Sequence, residues 1–225
     1  MEKYSKMNLK DTLSKMNSDF SQKEFNNKDS IPFPIITTQL PYGSFVEILG
    51  DPGKGKSTLA LLIASYINKK NKVVAYINGE FSLDSLYLQR LNIDGEVILI
   101  NPDEFNISTI DLICTLSKKV DLIILDSLAC IDYDDICKDG DKLIRAIKHS
   151  NCSLIYTNQM RDGFKKRGVH SYGGYDLKKS CSLRLEVIKM NKSKCEQIFE
   201  FKMNIIKNKL NSDLGEYINS FSIGE

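Results

Sequence analysis

The segment GDPGKGKST, from Gly50 to Thr58, decides how the rest of the chain is interpreted. Gly50, Gly55, Lys56 and Ser57 stand at the spacing GxxxxGK[ST], which is the pattern of a phosphate-binding loop. An apolar run, FVEIL, precedes the segment and a helical pattern follows it, so the loop joins a strand to the start of a helix. Backbone N–H groups in such a loop are suited to hold the phosphates of a nucleoside triphosphate.

The loop pattern assigns chemistry to particular side chains. Lys56 would reach the β and γ phosphates, and the hydroxyl of Ser57 would ligate Mg²⁺. A second Mg²⁺ ligand, acting through water, is Asp126, which ends the apolar run VDLIILD; a solvated strand end is the alternative interpretation. The expected nucleotide contacts are the whole loop: Gly50, Asp51, Pro52, Gly53, Lys54, Gly55, Lys56, Ser57 and Thr58.

Short apolar runs alternate with helical patterns over most of the chain, which predicts an α/β fold with helices on both faces of a mainly parallel sheet. The expected strands are residues 45–49, 72–78, 96–101, 121–126 and 152–158, and the expected helices are 56–70, 83–91, 108–119 and 142–149. The runs at 182–190, 197–209 and 216–223 are separated by turns too short for a crossover helix, so antiparallel C-terminal strands are expected there.

The first 40 residues differ from the rest. Leu9, Leu13, Met16 and Phe20 lie on one stripe of a predicted helix, and residues 25–43 contain three prolines, which is typical of a linker. We therefore divide the chain into an N-terminal helix and linker, 1–40, and a core, 41–225. The stripe is expected to pack either on its own core or on a neighbouring copy.

Composition narrows the class of protein only broadly. A net charge of +2 does not indicate a nucleic-acid binder, so any basic surface must be local. The six cysteines show no CxxC spacing, which favours reduced thiols, and no signal segment or membrane-length apolar run is present. A cytoplasmic protein without a membrane partner is the expectation.

Six segments, in the same order along the chain, resemble the bacterial RecA recombinase family, and the resemblance covers most of the chain. They are LPYGSFVEILGDPGKGKSTLAL, AYINGEFSLDSLYLQRLNID, VDLIILDSLA, LIRAIKHSNCSLIYTNQMR, YGGYDLKKSCSLRLEV and IIKNK. The resemblance implies a RecA-like ATPase core that uses ATP and Mg²⁺.

The resemblance also implies roles for individual residues. Glu80 would be the general base that orients the attacking water, and Gln159 would sense the γ-phosphate. Asp84 and Tyr87 would contact adenine. Lys207 and Lys209 would reach the γ-phosphate bound to a neighbouring copy, so hydrolysis would require self-association into a filament or a ring.

The resemblance places a DNA-binding loop directly after Gln159, and the residues there suit single-stranded DNA. Cationic groups would neutralise phosphates, aromatic rings would stack on bases, and glycines would keep the loop flexible. A solvated basic loop is the alternative. The candidate DNA contacts are Arg161, Phe164, Lys165, Lys166, Arg167, Gly173 and Gly174.

The sequence also departs from the family. Between Ser127 and the helix expected near Lys142, the short acidic stretch LACIDYDDICKDG replaces the family's first DNA-binding loop, and the residues flanking Glu80 are unusual. The leading expectation is a DNA-dependent ATPase that acts in recombination, repair or annealing. The alternatives are a non-catalytic accessory paralogue that binds nucleotide and DNA, or another recombinase, and a ring helicase.

Overall fold

The computed structural model describes residues 30–80, 83, 85–91, 93, 97–159, 173–193, 198–211 and 213–222. Within these residues the chain forms ten strands and five α-helices. In chain order they are β1 Ser30–Pro32, β2 Gln39–Pro41, β3 Phe45–Gly50, α1 Lys56–Lys69, β4 Val74–Asn78, α2 Ser85–Arg90, β5 Ile98–Ile100, α3 Thr109–Leu116, β6 Leu122–Asp126, α4 Tyr133–Lys148, β7 Ser153–Gln159, α5 Gly174–Ser180, β8 Leu183–Lys192, β9 Ile198–Asn208 and β10 Gly215–Ser222.

Eight of the strands form one sheet in the order β10-β9-β8-β3-β7-β6-β4-β5. The strands from β8 to β5 are parallel, and β9 and β10 are antiparallel to their neighbours. The predicted fold class is therefore confirmed. Because the parallel strands all end at the same edge, the residues that follow β3, β4, β6 and β7 converge there.

Two apolar cores cover the two faces of this sheet. The helices α1 and α2 pack on one face, and α3, α4 and α5 pack on the other. Alternate strand residues point to opposite faces, so Ile123 joins one core and Ile124 the other. Burial on both faces explains why the central strands read as continuous apolar runs.

The predicted linker over residues 25–43 differs from the structure where the chain is described. Residues 30–41 form the two short antiparallel strands β1 and β2, apart from the main sheet. Ile31, Phe33, Ile35 and Leu40 are at most 1% exposed and pack into the core beside α1. Prolines did exclude a central strand, but four apolar side chains attach this segment to the core. The stripe from Leu9 to Phe20 lies outside the described residues.

The helix predicted near Lys142 begins nine residues earlier, at Tyr133. The acidic stretch that was expected to be a remnant loop is a 3-10 turn, Leu128–Cys130, followed by the first half of α4. Acidic side chains in the first turn favour the helix because they oppose the positive end of its dipole. Gly140, the last residue of that stretch, lies inside the helix and is buried.

Candidate functional site

The predicted phosphate loop connects β3 to α1, as its pattern requires. Gly50 and Gly55 have φ angles of 148° and 93°, in the region that favours glycine. A Cβ on Gly50 would lie 2.8 Å from the carbonyl oxygen of Val187, and one on Gly55 would lie 2.7 Å from Met190 Sδ. Strand β8 therefore supports the back of the loop, and glycine is needed for space as well as for conformation.

A cleft of about 290 Å³ opens in front of this loop. Its lining combines the loop and the start of α1 with one residue after β4 and one residue each from β6, β7 and β8: Pro52, Gly53, Gly55, Lys56, Ser57, Thr58, Glu80, Asp126, Gln159 and Met190. A larger groove of about 630 Å³ lies between α1 and β10, but the described residues that line it include no carboxylate and no residue of the loop. The smaller cleft is the candidate site.

Lys56 is 9% exposed and its Nζ donates to the carbonyl oxygen of Asp51 at 2.9 Å. Burial lowers the pKa of Lys56, and the nearby charges of Glu80, Asp126 and Asp51 oppose that shift. Phosphate oxygens in the cleft would add further negative charge and favour the ammonium form.

Asp126 is 1% exposed and held by hydroxyl groups from both sides. Tyr76 donates to Oδ2 at 2.7 Å, and Thr157 donates to Oδ1. Burial and the adjacent carboxylate raise the pKa of Tyr76, so its hydroxyl stays protonated as a donor. The backbone oxygen of Asp126 also accepts from the N–H groups of Gly79 at 2.6 Å and Glu80 at 3.2 Å. These bonds fix the carboxylate at the cleft floor.

The donor atoms at this floor suit Mg²⁺, which prefers a few hard protein oxygens together with water. Ser57 offers a hydroxyl and Asp126 a carboxylate, both in the cleft lining. Within the described residues, the buried atoms Asn78 Oδ1 and Ser127 Oγ have no hydrogen-bond partner, so further polar oxygens lie at this edge. In the same residues, no group of three His, Cys, Asp or Glu side chains forms a metal cage.

Glu80 and Gln159 face each other across the cleft. Glu80 follows β4 and Gln159 ends β7, and Gln159 Nε2 lies 3.4 Å from Glu80 Oε1. The predicted base and the predicted phosphate sensor are therefore brought together, although their roles remain predictions.

The predicted adenine contacts are only partly within the described residues. Tyr87 lies on α2, and its hydroxyl is hydrogen-bonded to the hydroxyl of Thr58. Its ring packs on the core next to α1. Asp84 lies outside the described residues, so its predicted contact with adenine stays a prediction, as does stacking by Tyr87.

Lys207 and Lys209 do not line this cleft. Lys207 Nζ donates to the carbonyl oxygens of Lys178 at 2.6 Å and Lys179 at 3.0 Å, and Lys209 Nζ donates to Lys179 O at 3.1 Å. These carbonyls belong to the last turn of α5, where cations oppose the helix dipole. Burial is the main cause that lowers the pKa of Lys207.

The two glycines predicted in the DNA-binding loop begin a helix. Gly173 is buried, has a φ of 98° and is the N-cap of α5, which starts at Gly174. A Cβ on Gly173 would lie 2.5 Å from Leu128 Cδ2. In this structure the two glycines form the turn into α5, and their predicted place in a flexible DNA-binding loop stays a prediction. The other candidate DNA contacts, Arg161 to Arg167, lie outside the described residues.

Residues 28–141 match the family model of the RecA N-terminal domain. The chain belongs to the RecA family. It is 30% identical over 199 residues to the protein RecA of Sulfurovum sp. (strain NBC37-1), an alignment that covers 76% of this chain and 57% of that protein. It is 31% identical over 199 residues to the protein RecA of Mannheimia haemolytica, covering 76% of this chain and 53% of that protein.

Among solved structures, the fold is similar to that of the RadB recombinase. The TM-score is 0.58 at 18% sequence identity, and the match covers 81% of this chain and 88% of that one. The chain spans little more than half the length of the RecA proteins it matches. The described helices include none that is long and apolar enough to cross a membrane.

Proposed function

We propose that this RecA-family chain is an ATPase that uses ATP and Mg²⁺, and whose turnover depends on single-stranded DNA. The observation that carries the proposal is the convergence of Lys56, Ser57, Glu80, Asp126 and Gln159 on one cleft. These residues come from four separate segments, and their side chains correspond to the parts that phosphoryl transfer requires. The proposed setting is recombination, repair or annealing in the cytoplasm.

The chemistry follows from the geometry of the cleft. N–H groups of the loop and the Lys56 ammonium would hold the phosphates, and Glu80 would orient water toward the γ-phosphorus. Ser57 and, through water, Asp126 would hold Mg²⁺, which would supply neutralisation of the phosphate charge. The γ-phosphate would compete with Glu80 for the amide of Gln159, whose contact is long at 3.4 Å. The presence or absence of the γ-phosphate would thereby change the position of Gln159 and so the conformation of the segment that follows it.

The test is ATP hydrolysis by the full chain with Mg²⁺, in the presence and absence of an unstructured single-stranded oligonucleotide. We expect several-fold stimulation by DNA, and a rate that DNA does not change contradicts the proposal. Electron microscopy with ATP and DNA then distinguishes the filament that we expect from the closed rings of a helicase.

A non-catalytic accessory paralogue is the second candidate. It is favoured by one observation: only Ser127 to Asp132 separate β6 from α4, so the stretch is too short for a DNA-binding loop. Such a protein would bind nucleotide, DNA or another recombinase without turnover. Nucleotide-dependent DNA binding with no ATP hydrolysis in the same assay would favour it over the ATPase.

Replacing Lys165, Lys166 and Arg167 together by Ala is expected to weaken the salt dependence of DNA binding. Each cation that neutralises a phosphate releases about one counterion, so the slope of log affinity against log salt should fall by about 2 to 3. Fluorescence anisotropy with a labelled oligonucleotide at several salt concentrations measures this slope.

The matched control for charge replaces three exposed lysines by Ala: Lys118, which follows α3, and Lys138 and Lys148, which lie on α4. Its slope should stay close to that of the unmodified chain. Equal slopes for the two triple variants would remove the segment after Gln159 from the DNA site.

A further inference from the structure

Glu47 is a buried carboxylate that the proposed chemistry does not use. It lies in the middle of β3, three residues before Gly50, and is 0% exposed. A carboxylate in such a position is costly unless it is paired and hydrogen-bonded. Its presence within an otherwise apolar strand therefore calls for an explanation beyond packing.

Both oxygens of Glu47 are engaged by neighbouring strands. Oε1 accepts from Asn158 Nδ2 on β7 at 2.8 Å, and Oε2 forms an ion pair with Arg184 Nε on β8. Arg184 is mostly buried, with 17% of its side chain exposed. Removal of the Glu47 charge would break this ion pair of a mostly buried cation and would remove the acceptor that faces the Asn158 amide.

The opposite end of the Asn158 amide holds the predicted phosphate sensor. Asn158 Oδ1 accepts from the backbone N–H of Gln159 at 2.9 Å, and the Gln159 side chain in turn approaches Glu80. A continuous series of contacts thus crosses three strands from Arg184 to the cleft. Because Glu47 accepts from the NH₂ side of Asn158, the amide oxygen must face Gln159.

We propose that Glu47 is a positioning residue of the nucleotide site: its carboxylate, held by Arg184, orients the Asn158 amide that fixes Gln159 beside Glu80. Glu47 touches neither nucleotide nor water in this role. It acts through Asn158, and its loss displaces the sensor without changing the phosphate loop. The effect on turnover rests on the proposed ATPase function, whereas the effect on Gln159 does not.

The first test is the amide hydrogen exchange of Gln159, followed by NMR in the full chain without nucleotide. In Glu47→Gln one of the two accepting oxygens becomes an NH₂ group, which can only donate a hydrogen bond. Arg184 and Asn158 are both donors to this side chain, so one of them loses its acceptor and the Asn158 amide loses its fixed orientation. We expect the Gln159 amide to exchange about tenfold faster or more, because its acceptor is no longer held in place. An exchange rate equal to that of the unmodified chain would overturn the proposal.

Two further variants separate positioning from stability. Asp121→Asn is the control: Asp121 accepts from Tyr42 at 2.6 Å, Lys72 at 3.0 Å and the Val73 N–H at 2.8 Å, at the opposite end of the sheet. It should lower the melting temperature without accelerating exchange at Gln159. Asn158→Leu removes the acceptor itself and leaves the ion pair of Glu47 in place, so it gives the exchange rate expected once that acceptor is lost. If Glu47→Gln does not fold, Glu47→Asp, whose shorter carboxylate withdraws from Asn158, takes its place in the same comparison.

Turnover provides the second readout. For Glu47→Gln and Asn158→Leu we expect kcat for DNA-stimulated ATP hydrolysis to fall by about 10-fold to 100-fold, since small misplacement of reacting groups has effects of this size. KM for ATP should change by less than about twofold, because the phosphate loop is intact. A rise in KM with unchanged kcat would contradict positioning. Absence of turnover in the unmodified chain would contradict the ATPase function, while the exchange data would still decide the role of Glu47.

Discussion

Glu80→Gln is expected to lower the rate of DNA-stimulated ATP hydrolysis by about 10²-fold to 10⁴-fold. The amide cannot accept a proton from the attacking water, although it keeps the size of the side chain. Glu80 lines the cleft opposite Gln159, and its backbone N–H is held by Asp126 O. The substitution therefore changes the chemistry at this position without removing its supports.

ATP binding should survive the same change, because Lys56 and the loop that hold the phosphates are untouched. Titration with a fluorescent ATP analogue measures this, and turnover is measured in parallel. The matched control is Glu216→Gln, an exposed carboxylate on β10 whose ion pair with Lys202 is at the surface. A Glu80→Gln chain that hydrolyses ATP at the unmodified rate would exclude Glu80 as the base.

Replacing Lys207 and Lys209 together by Ala is expected to lower the DNA-stimulated rate by about 10³-fold or more, as loss of a transition-state cation does in related chemistry. In the sheet, Lys207 on β9 lies opposite Arg184 on β8, and Arg184 lies opposite Glu47 on β3. Lys207 is therefore two strands away from β3, level with a residue three positions before the end of that strand. Both ammonium groups contact the end of α5 and are absent from the lining of their own cleft. Action on the γ-phosphate bound to a neighbouring copy is the role that the resemblance predicts for them, and the substitution tests it.

Mixing two inactive variants tests that role directly. Equal amounts of Glu80→Gln and the double lysine variant should recover about a quarter of the unmodified rate, because one interface in four then joins an intact Glu80 to intact lysines. No recovery would mean that these groups act within one chain or not at all. Circular dichroism is needed beside the rates, since loss of the lysines also removes the cap of α5.

Lys202→Ala/Lys189→Ala is the control for that pair, because it removes the same number of charges from β8 and β9 away from α5. Its rate should match the unmodified chain. A similar loss in the control and in the Lys207 and Lys209 variant would assign the effect to general charge on these strands.

Much of the fold and site could be predicted because the decisive signals are local. The phosphate loop depends on glycines at fixed spacing between an apolar strand and a helix, and the structure places them at positive φ as that spacing requires. Asp126 could be placed at the carboxyl edge of the sheet because it ends an apolar run. Glu80 and Gln159 were assigned to the same site by the resemblance to the RecA family, and the structure places both in one cleft with Asp126.

Other features depend on partners that are distant in the sequence. Glu47 is a single acidic residue in an apolar strand, and its role depends on contacts with Asn158 and Arg184, which are 111 and 137 residues away in the sequence. The early start of α4 and the turn at Gly173 also escaped prediction, because burial against neighbouring helices overrides the local appearance of a loop.

By itself, the sequence determined the α/β class, the phosphate loop and the place of Asp126 at the end of a strand, since backbone conformation and alternation of apolar runs are properties of neighbouring residues. Glu80 and Gln159 were named through the resemblance of the sequence to the RecA family. Only the tertiary structure decided where Lys207 and Lys209 lie and how Gln159 is supported. Those features arise from strand order and side-chain burial, which bring together residues that no local pattern connects.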